Sequence, residues 1–313
     1  MNKLEDILKN KSINKETKRA IIVLYEPAVK FWGEDKRELI LKTIEDFEIF
    51  NVDNLGNVLV DSQKEINTQK GVSLNTKGLC MIIPLIQSGS IVGTRKVIFL
   101  ENNKNEKEIA SLLAHELFFH GVKSMIQSKL KENILMTGLS EGKYSLDKED
   151  NIISVRSDNN FALEELTTYY GQNKLIKEVY NEEINVDPYL LYIANILGEI
   201  IETTSFGKIL LESQITKDTS KLENQFEEIE EKRAMFTNDS NKLSWDTYNE
   251  VMDKFISLFY KINNLSENDS SYQEVFTEYK NIFNQLNNIT TQILFVSTIL
   301  TDEETYKKKL TKK

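Results

Sequence analysis

The two histidines of the 313-residue chain lie five positions apart, and a glutamate directly follows the first of them. They belong to the segment HELFFHG, in which the histidines are His115 and His120 and the glutamate is Glu116. Two imidazoles and a carboxylate are the donor types of a catalytic zinc site, which keeps its fourth position for water. A glutamate beside the first histidine can take the proton of that water as a general base. These residue types therefore predict metal-assisted hydrolysis.

The spacing of the two histidines requires a departure from regular helical geometry. Asn105 and Glu108 have the spacing of a helix N-cap and its acidic N3 residue, and apolar residues then recur at helical intervals. In a regular helix, residues four apart point about 40° apart, whereas residues five apart point about 140° apart. A π-bulge absorbs one extra residue and would restore the convergence. We therefore predict a π-bulge around Phe118–Phe119.

The segment HELFFHG resembles the H-E-x-x-x-H-G helix of dipeptidyl-peptidase III, a zinc exopeptidase with the same extra residue. With that insertion it also resembles the larger gluzincin group, which includes thermolysin. The resemblance implies a third zinc ligand, a glutamate on a later helix, and the matching segment here is FALEELTTYYG at residues 161–171. It implies that His115, His120 and Glu164 bind one Zn²⁺ and that Glu116 is the catalytic base. Glu165, next to Glu164, stays open as the alternative ligand.

A peptidase of this kind also needs a donor for the oxyanion that forms during hydrolysis. The chain has no third histidine, so a tyrosine is the expected donor. Tyr144, Tyr169 and Tyr170 are the nearest in sequence, and the sequence does not choose among them.

Composition restricts the class of protein. Twelve glycines and three prolines are few for this length, which favours long helices over a turn-rich β fold. The net charge of −10 argues against a nucleic-acid partner, because such surfaces need clustered Lys and Arg. No apolar run reaches the length of a membrane span, and no signal-peptide core is present near Met1. The expected location is cytoplasmic, with export by another route left open.

These patterns predict a mostly helical α+β fold with a small mixed sheet before the active-site helix and a C-terminal helical bundle. We predict an N-terminal helical layer at 1–50, a zincin-like catalytic domain at 51–215 and the bundle at 216–313. A hairpin is expected from Phe50–Val52 and Val58–Val60, and a long loop or hairpin at 138–151.

Two further strands are expected at Leu79–Leu85 and Lys96–Glu101. In the resembled family the edge strand of the sheet binds extended substrate by backbone pairing. Val97–Leu100 is one candidate for that strand. The sequence does not show which strand lies at the edge.

The last long helix carries a heptad pattern of apolar residues over 271–300, after a capping box at Ser271 and Glu274. Additional aromatic residues widen the apolar face, which favours a bundle over a two-stranded coiled coil. The alternative is a homodimer or a partner helix that uses this seam.

The favoured hypothesis from the sequence is a zinc metallopeptidase that hydrolyses peptide or protein substrates. One alternative is a non-catalytic binding or adaptor protein built on helical bundles. Another is a peptidase fold that retains zinc without turnover. Metal content separates the first alternative from the other two hypotheses, and activity against peptides separates the remaining pair.

Overall fold

The computed structural model describes residues 2–53, 55, 77–102, 105–124, 128–129, 134–137, 140–146, 152–158, 160–237 and 243–310. The chain divides into two compact units. The first consists of Met1–Asp158 and Gly171–Asn185, and the second of Asn159–Tyr170 and Val186–Lys313. The three-part division at residues 50 and 215 stays a prediction.

The first unit begins with helices, which end at Asp46, whereas the sequence predicted helical structure through residue 50. They are α1 (Asn2–Lys9), α2 (Lys15–Trp32) and, after a short 3₁₀ turn at Glu34–Lys36, α3 (Arg37–Asp46). The Asn14 side chain caps α2 by accepting the backbone N–H of Thr17 at 2.7 Å. The buried faces of α2 and α3 are apolar and include Ile21, Leu24, Ile40 and Ile44.

A three-stranded mixed sheet follows, made of β1 (Glu48–Val52), β2 (Gly78–Gln87) and β3 (Ser90–Glu101). The strand order is β1-β3-β2, with β1 parallel and β2 antiparallel to β3. The small mixed sheet that the sequence predicted ahead of the histidine segment is thereby confirmed. The edge-strand candidate Val97–Leu100 is wrong, because it belongs to the central strand. The expected hairpin partner Val58–Val60 lies outside the described residues.

Helix α4 (Glu106–Leu113) leads into the histidine segment, and a second sheet comes after it. The second sheet is antiparallel, in the order β4 (Ser128–Lys129), β5 (Ile134–Thr137), β6 (Ser140–Leu146) and β7 (Ile152–Asp158). Strand β6 lies within the polar stretch at 138–151, and it pairs antiparallel with β7, which begins just after that stretch. The stretch expected to be a long loop or hairpin therefore contains one strand of an antiparallel pair, and the sequence did not predict the larger sheet to which that strand belongs.

Helix α5 (Phe161–Tyr180) has its first half in the second unit and its second half in the first. The remaining helices of the second unit are α6 (Pro188–Thr203), α7 (Ser205–Thr216), α8 (Ser220–Thr237), α9 (Trp245–Asn263) and α10 (Tyr272–Leu310).

Helix α10 packs against α6, α7, α8 and α9, so the predicted C-terminal helical bundle is confirmed. Six seam residues are buried within the single chain: Val275, Tyr279, Leu286, Ile293, Val296 and Leu300. This burial explains much of the heptad pattern within one chain, and the homodimer or partner helix that would use the pattern stays a prediction. Among the described residues, no helix combines the length and apolarity needed to cross a membrane. The cytoplasmic location stays a prediction.

Candidate metal centre

The histidine segment is π-helical. Helix α4 starts with the predicted capping box, in which Asn105 accepts the Glu108 N–H and the Glu108 carboxylate accepts the Asn105 N–H. It then continues as a π-helix from Ala114 to Gly121. The predicted π-bulge is confirmed, and it covers the whole of HELFFHG rather than Phe118–Phe119 alone.

Aromatic residues of α2 pack against the π-helical segment. The indole N–H of Trp32 donates to the backbone carbonyl of Phe118 at 2.9 Å, so α2 bonds directly to the backbone of this segment. The Phe119 ring is buried against Phe31 and Trp32, with ring centroids 4.9 and 5.5 Å away. The two phenylalanines between the histidines, where the motif has one residue more than H-E-x-x-H, are therefore held by packing within the first unit.

The two imidazoles face each other through the same ring atom. Nε2 of His120 lies 3.2 Å from Nε2 of His115. In a tetrahedral zinc site with Zn–N bonds of 2.0–2.1 Å, two nitrogen ligands lie about 3.3 Å apart. The same distance suits a hydrogen bond between the two rings, so the histidine pair is compatible with a shared ion without requiring one.

A carboxylate completes this group. One nitrogen of His115, one nitrogen of His120 and a carboxylate oxygen of Glu165 all lie within 4.8 Å of one another. Glu164, which the sequence favoured, is buried but is not part of the group. Successive residues of a helix point about 100° apart, so only one of these two adjacent glutamates can point towards the histidines. In the structure the glutamate close to them is Glu165, one residue after the Glu164 that the sequence pattern favoured.

Glu116 is buried outside the three-residue group and lies beside the first residue of β2. A Cβ atom at Gly78 would come within 3.1 Å of the Glu116 Cγ atom and 3.2 Å of its Oε1 atom. Gly78 thus provides the space in which the carboxylate lies. Burial and, secondarily, the Glu116 charge raise the pKa of the nearby Cys80 thiol, which keeps that thiol protonated at neutral pH.

Gln172 contacts the first histidine, and the sequence analysis did not identify it. Its Oε1 atom lies 3.1 Å from Nδ1 of His115, and its Nε2 atom donates to both oxygens of Ser111. No sequence pattern marks a glutamine seven residues after Glu165 as a partner of a histidine on another helix.

The start of α5 is held by two side chains of α9. Asn249 donates from Nδ2 to Oδ1 of Asn160 at 2.6 Å, and Asp253 accepts the Ala162 N–H at 3.1 Å. Asn160 has a φ of +73°, a left-handed conformation that asparagine tolerates better than most residues. These contacts fix where the helix that carries Glu165 begins.

We expect Asp253→Ala to destabilise the second unit by about 1 kcal/mol, as the loss of a helix cap does. Burial raises the pKa of Asp253. The folded state therefore favours the protonated carboxyl, and the contribution of Asp253 to stability falls as the pH rises from its unfolded towards its folded pKa. Asp253→Asn retains the acceptor without the charge, so it should be clearly more stable than Asp253→Ala at pH 7. Urea unfolding tests this ranking, and equal stability of the two variants would contradict it.

We expect Gly171→Ala to destabilise the chain by about 3 kcal/mol, because a Cβ atom there would lie 1.8 Å from Cζ of Phe119. Phe119 is buried against Phe31 and Trp32 and has little room to move. Gly93→Ala is the matched control, since within the described part of the chain its Cβ would meet only Leu85, at 3.7 Å. Urea unfolding of both variants measures the difference. Similar unfolding midpoints would show that the packing of Gly171 on Phe119 does not constrain the site.

The tyrosines named from the sequence have other contacts. The Tyr170 hydroxyl donates to Glu202, and burial raises the pKa of Tyr170 to about 12. The Tyr169 ring packs edge-on against Phe259, with centroids 6.3 Å apart. The Tyr144 side chain lies outside the described residues. The oxyanion donor therefore stays open.

The fold and the donor group define a candidate metal centre of the two-histidine, one-carboxylate class. Comparison with known proteins adds no relative, since no family model, no curated protein and no solved structure matches the chain. The gluzincin resemblance stays an expectation from the motif residues.

Proposed function

We propose that this chain is a zinc-dependent metallopeptidase in which His115, His120 and Glu165 hold the metal and Glu116 is the general base. The observation that carries the proposal is the convergence of these three donors on a π-helical HELFFHG segment. The chain contains only two histidines, and both belong to the group. An ordinary packed helix would not need a π-helix to turn its two histidines toward each other.

The donor set favours zinc over other common metals. Two neutral imidazoles and one carboxylate suit zinc, whereas magnesium and calcium favour sites built from oxygen ligands. Three protein ligands leave a fourth position for water, which distinguishes a catalytic from a structural zinc site. The Nε2 atoms of His115 and His120 already have the separation that a tetrahedral ion requires.

We assign Glu116 the role of base rather than ligand. It follows His115 directly, is buried, and lies outside the donor group. In hydrolysis, its carboxylate would take a proton from the attacking water and then pass it to the leaving amine. The bond that forms joins the water oxygen to the carbonyl carbon, and the bond that breaks is the C–N bond of the peptide.

The sheet offers a place for an extended peptide near this carboxylate. Strand β2 lies at one edge of the described three-stranded sheet, and its first residue, Gly78, contacts Glu116. An extended peptide that pairs with β2 would gain main-chain hydrogen bonds beside the proposed base. This placement replaces the central-strand candidate Val97–Leu100 and favours peptides over small esters or amides as the substrate class.

Activity on an unbiased peptide library tests the proposal. The full chain is treated with a chelator, divided, and assayed by mass spectrometry with and without added zinc, with His120→Ala as the control. We expect new peptide termini only when the parental chain receives zinc. Zinc binding without cleavage would favour a fold that retains zinc without turnover. Absence of both would favour the helical binding or adaptor protein.

A further inference from the structure

The hydrogen bonds of Gln172 determine which way its amide group points. Its Nε2 atom lies 3.0 Å from the Ser111 carbonyl oxygen and 2.9 Å from the Ser111 hydroxyl. A carbonyl oxygen can only accept, so the atom that faces it must be the amide nitrogen. The amide oxygen therefore faces His115 Nδ1, at 3.1 Å.

This orientation determines the protonation pattern of the His115 ring. An amide oxygen can only accept a hydrogen bond, so Nδ1 of His115 must carry a proton. In the neutral imidazole, the lone pair is then on Nε2, the atom that faces His120. Gln172 is buried, and its three contacts with Ser111 and His115 lie within the first unit.

We propose that Gln172 is a positioning residue, which fixes His115 in its Nδ1–H tautomer and so directs the Nε2 lone pair at the metal. The tautomer follows from the contacts of Gln172 alone, whereas its effect on metal affinity rests on the proposed function. Metal-binding histidines commonly donate their second ring nitrogen to an acceptor, and loss of that acceptor typically costs about 10- to 100-fold in affinity.

The same reasoning assigns the proton of His120 in the metal-free chain. With the His115 Nε2 atom as acceptor, the His120 Nε2 atom at 3.2 Å must be the donor. Coordination through both Nε2 atoms then requires His120 to move its proton to Nδ1, whereas His115 keeps its own. Metal binding should therefore change the tautomer of only one histidine.

The experiment is long-range ¹H–¹⁵N correlation NMR on the metal-free, ¹⁵N-labelled full chain at about pH 8, which is above the pKa of imidazole in model peptides. The chain has two histidines, so only two ring patterns appear, and His120→Ala assigns them. We expect Nδ1–H for His115 and Nε2–H for His120, and Nδ1–H for both after zinc is added. An Nε2–H pattern for His115 in the parental chain would overturn the proposal without any variant of Gln172.

Gln172→Leu should move the His115 pattern towards Nε2–H and lower zinc affinity by about 10- to 100-fold. Gln214→Leu is the matched control, because Gln214 is a buried glutamine that bonds to Thr167 and not to a histidine. An unchanged His115 tautomer in Gln172→Leu, or an equal affinity loss in the control, would overturn the proposal.

If Gln172→Leu does not fold, Ser111→Ala removes one acceptor of the amide and should shift the pattern in part. If His115 shows the Nδ1–H pattern in a chain that does not bind zinc, the tautomer assignment is correct and the proposed metallopeptidase function is wrong.

Discussion

Replacing Glu116 with glutamine is expected to lower peptide hydrolysis by a factor of about 10² or more while zinc content stays at the parental level. Glutamine has the shape of glutamate, so the contact with Gly78 and the packing of the π-helical segment should persist. The amide cannot accept the proton of the attacking water, and the base is lost. Turnover and zinc content, measured on the same preparation, separate these two effects.

Glu106→Gln is a useful control, because Glu106 lies in the first turn of the same helix and is half-exposed. It should leave both turnover and zinc content near parental values. A Glu116→Gln variant that cleaves as fast as the parent would show that Glu116 is not the base. Loss of zinc in that variant would instead place Glu116 among the ligands.

The second large effect concerns the third ligand. We expect Glu165→Ala to lower zinc affinity by about 10³-fold, or roughly 4 kcal/mol, whereas Glu164→Ala should retain most of it. Both residues are buried on α5, but only Glu165 belongs to the donor group with the histidines. The two alanine variants remove the same number of atoms from adjacent buried positions, so each is the control for the other.

Competition of each variant with a zinc-binding dye gives the affinities directly. The reverse ranking, with Glu164→Ala losing zinc and Glu165→Ala retaining it, would show that Glu164 is the ligand, as the sequence favoured. Equal, small losses from both variants would show that neither carboxylate binds the zinc.

The π-helix was predictable because the reasoning behind it is purely geometric. Two histidines five residues apart cannot converge on a regular helix, and a local insertion is the simplest correction. The capping box at Asn105 and Glu108 fixed the start of α4 in the same way, from a local pattern. Features that depend on a few neighbouring residues were therefore accessible from the sequence.

The choice between Glu164 and Glu165 was not accessible in this way. A sequence identifies the inward face of a helix when one side is apolar and the other polar. Here every residue from Ala162 to Thr168 is buried, so the first half of α5 has no exposed side to set its orientation. Only the packing of the whole helix shows which glutamate approaches the histidines.

Sheet order and the role of Gln172 depend on contacts between distant segments. Nothing in β3 itself reveals that β1 pairs with it in parallel, which places β3 at the centre. Gln172 likewise acquires its role from a helix more than 50 residues earlier, through Ser111 and His115. Such contacts have no signature in the local sequence.

Metal analysis of the purified full chain tests the central claim most directly. The chain is expressed with zinc supplied and freed of loosely bound metal, and its zinc content is measured by elemental mass spectrometry. The His120→Ala variant is prepared and measured in parallel. We predict about one zinc per parental chain, held by His115, His120 and Glu165, and little in the variant. A parental chain that binds no zinc under these conditions would contradict the account.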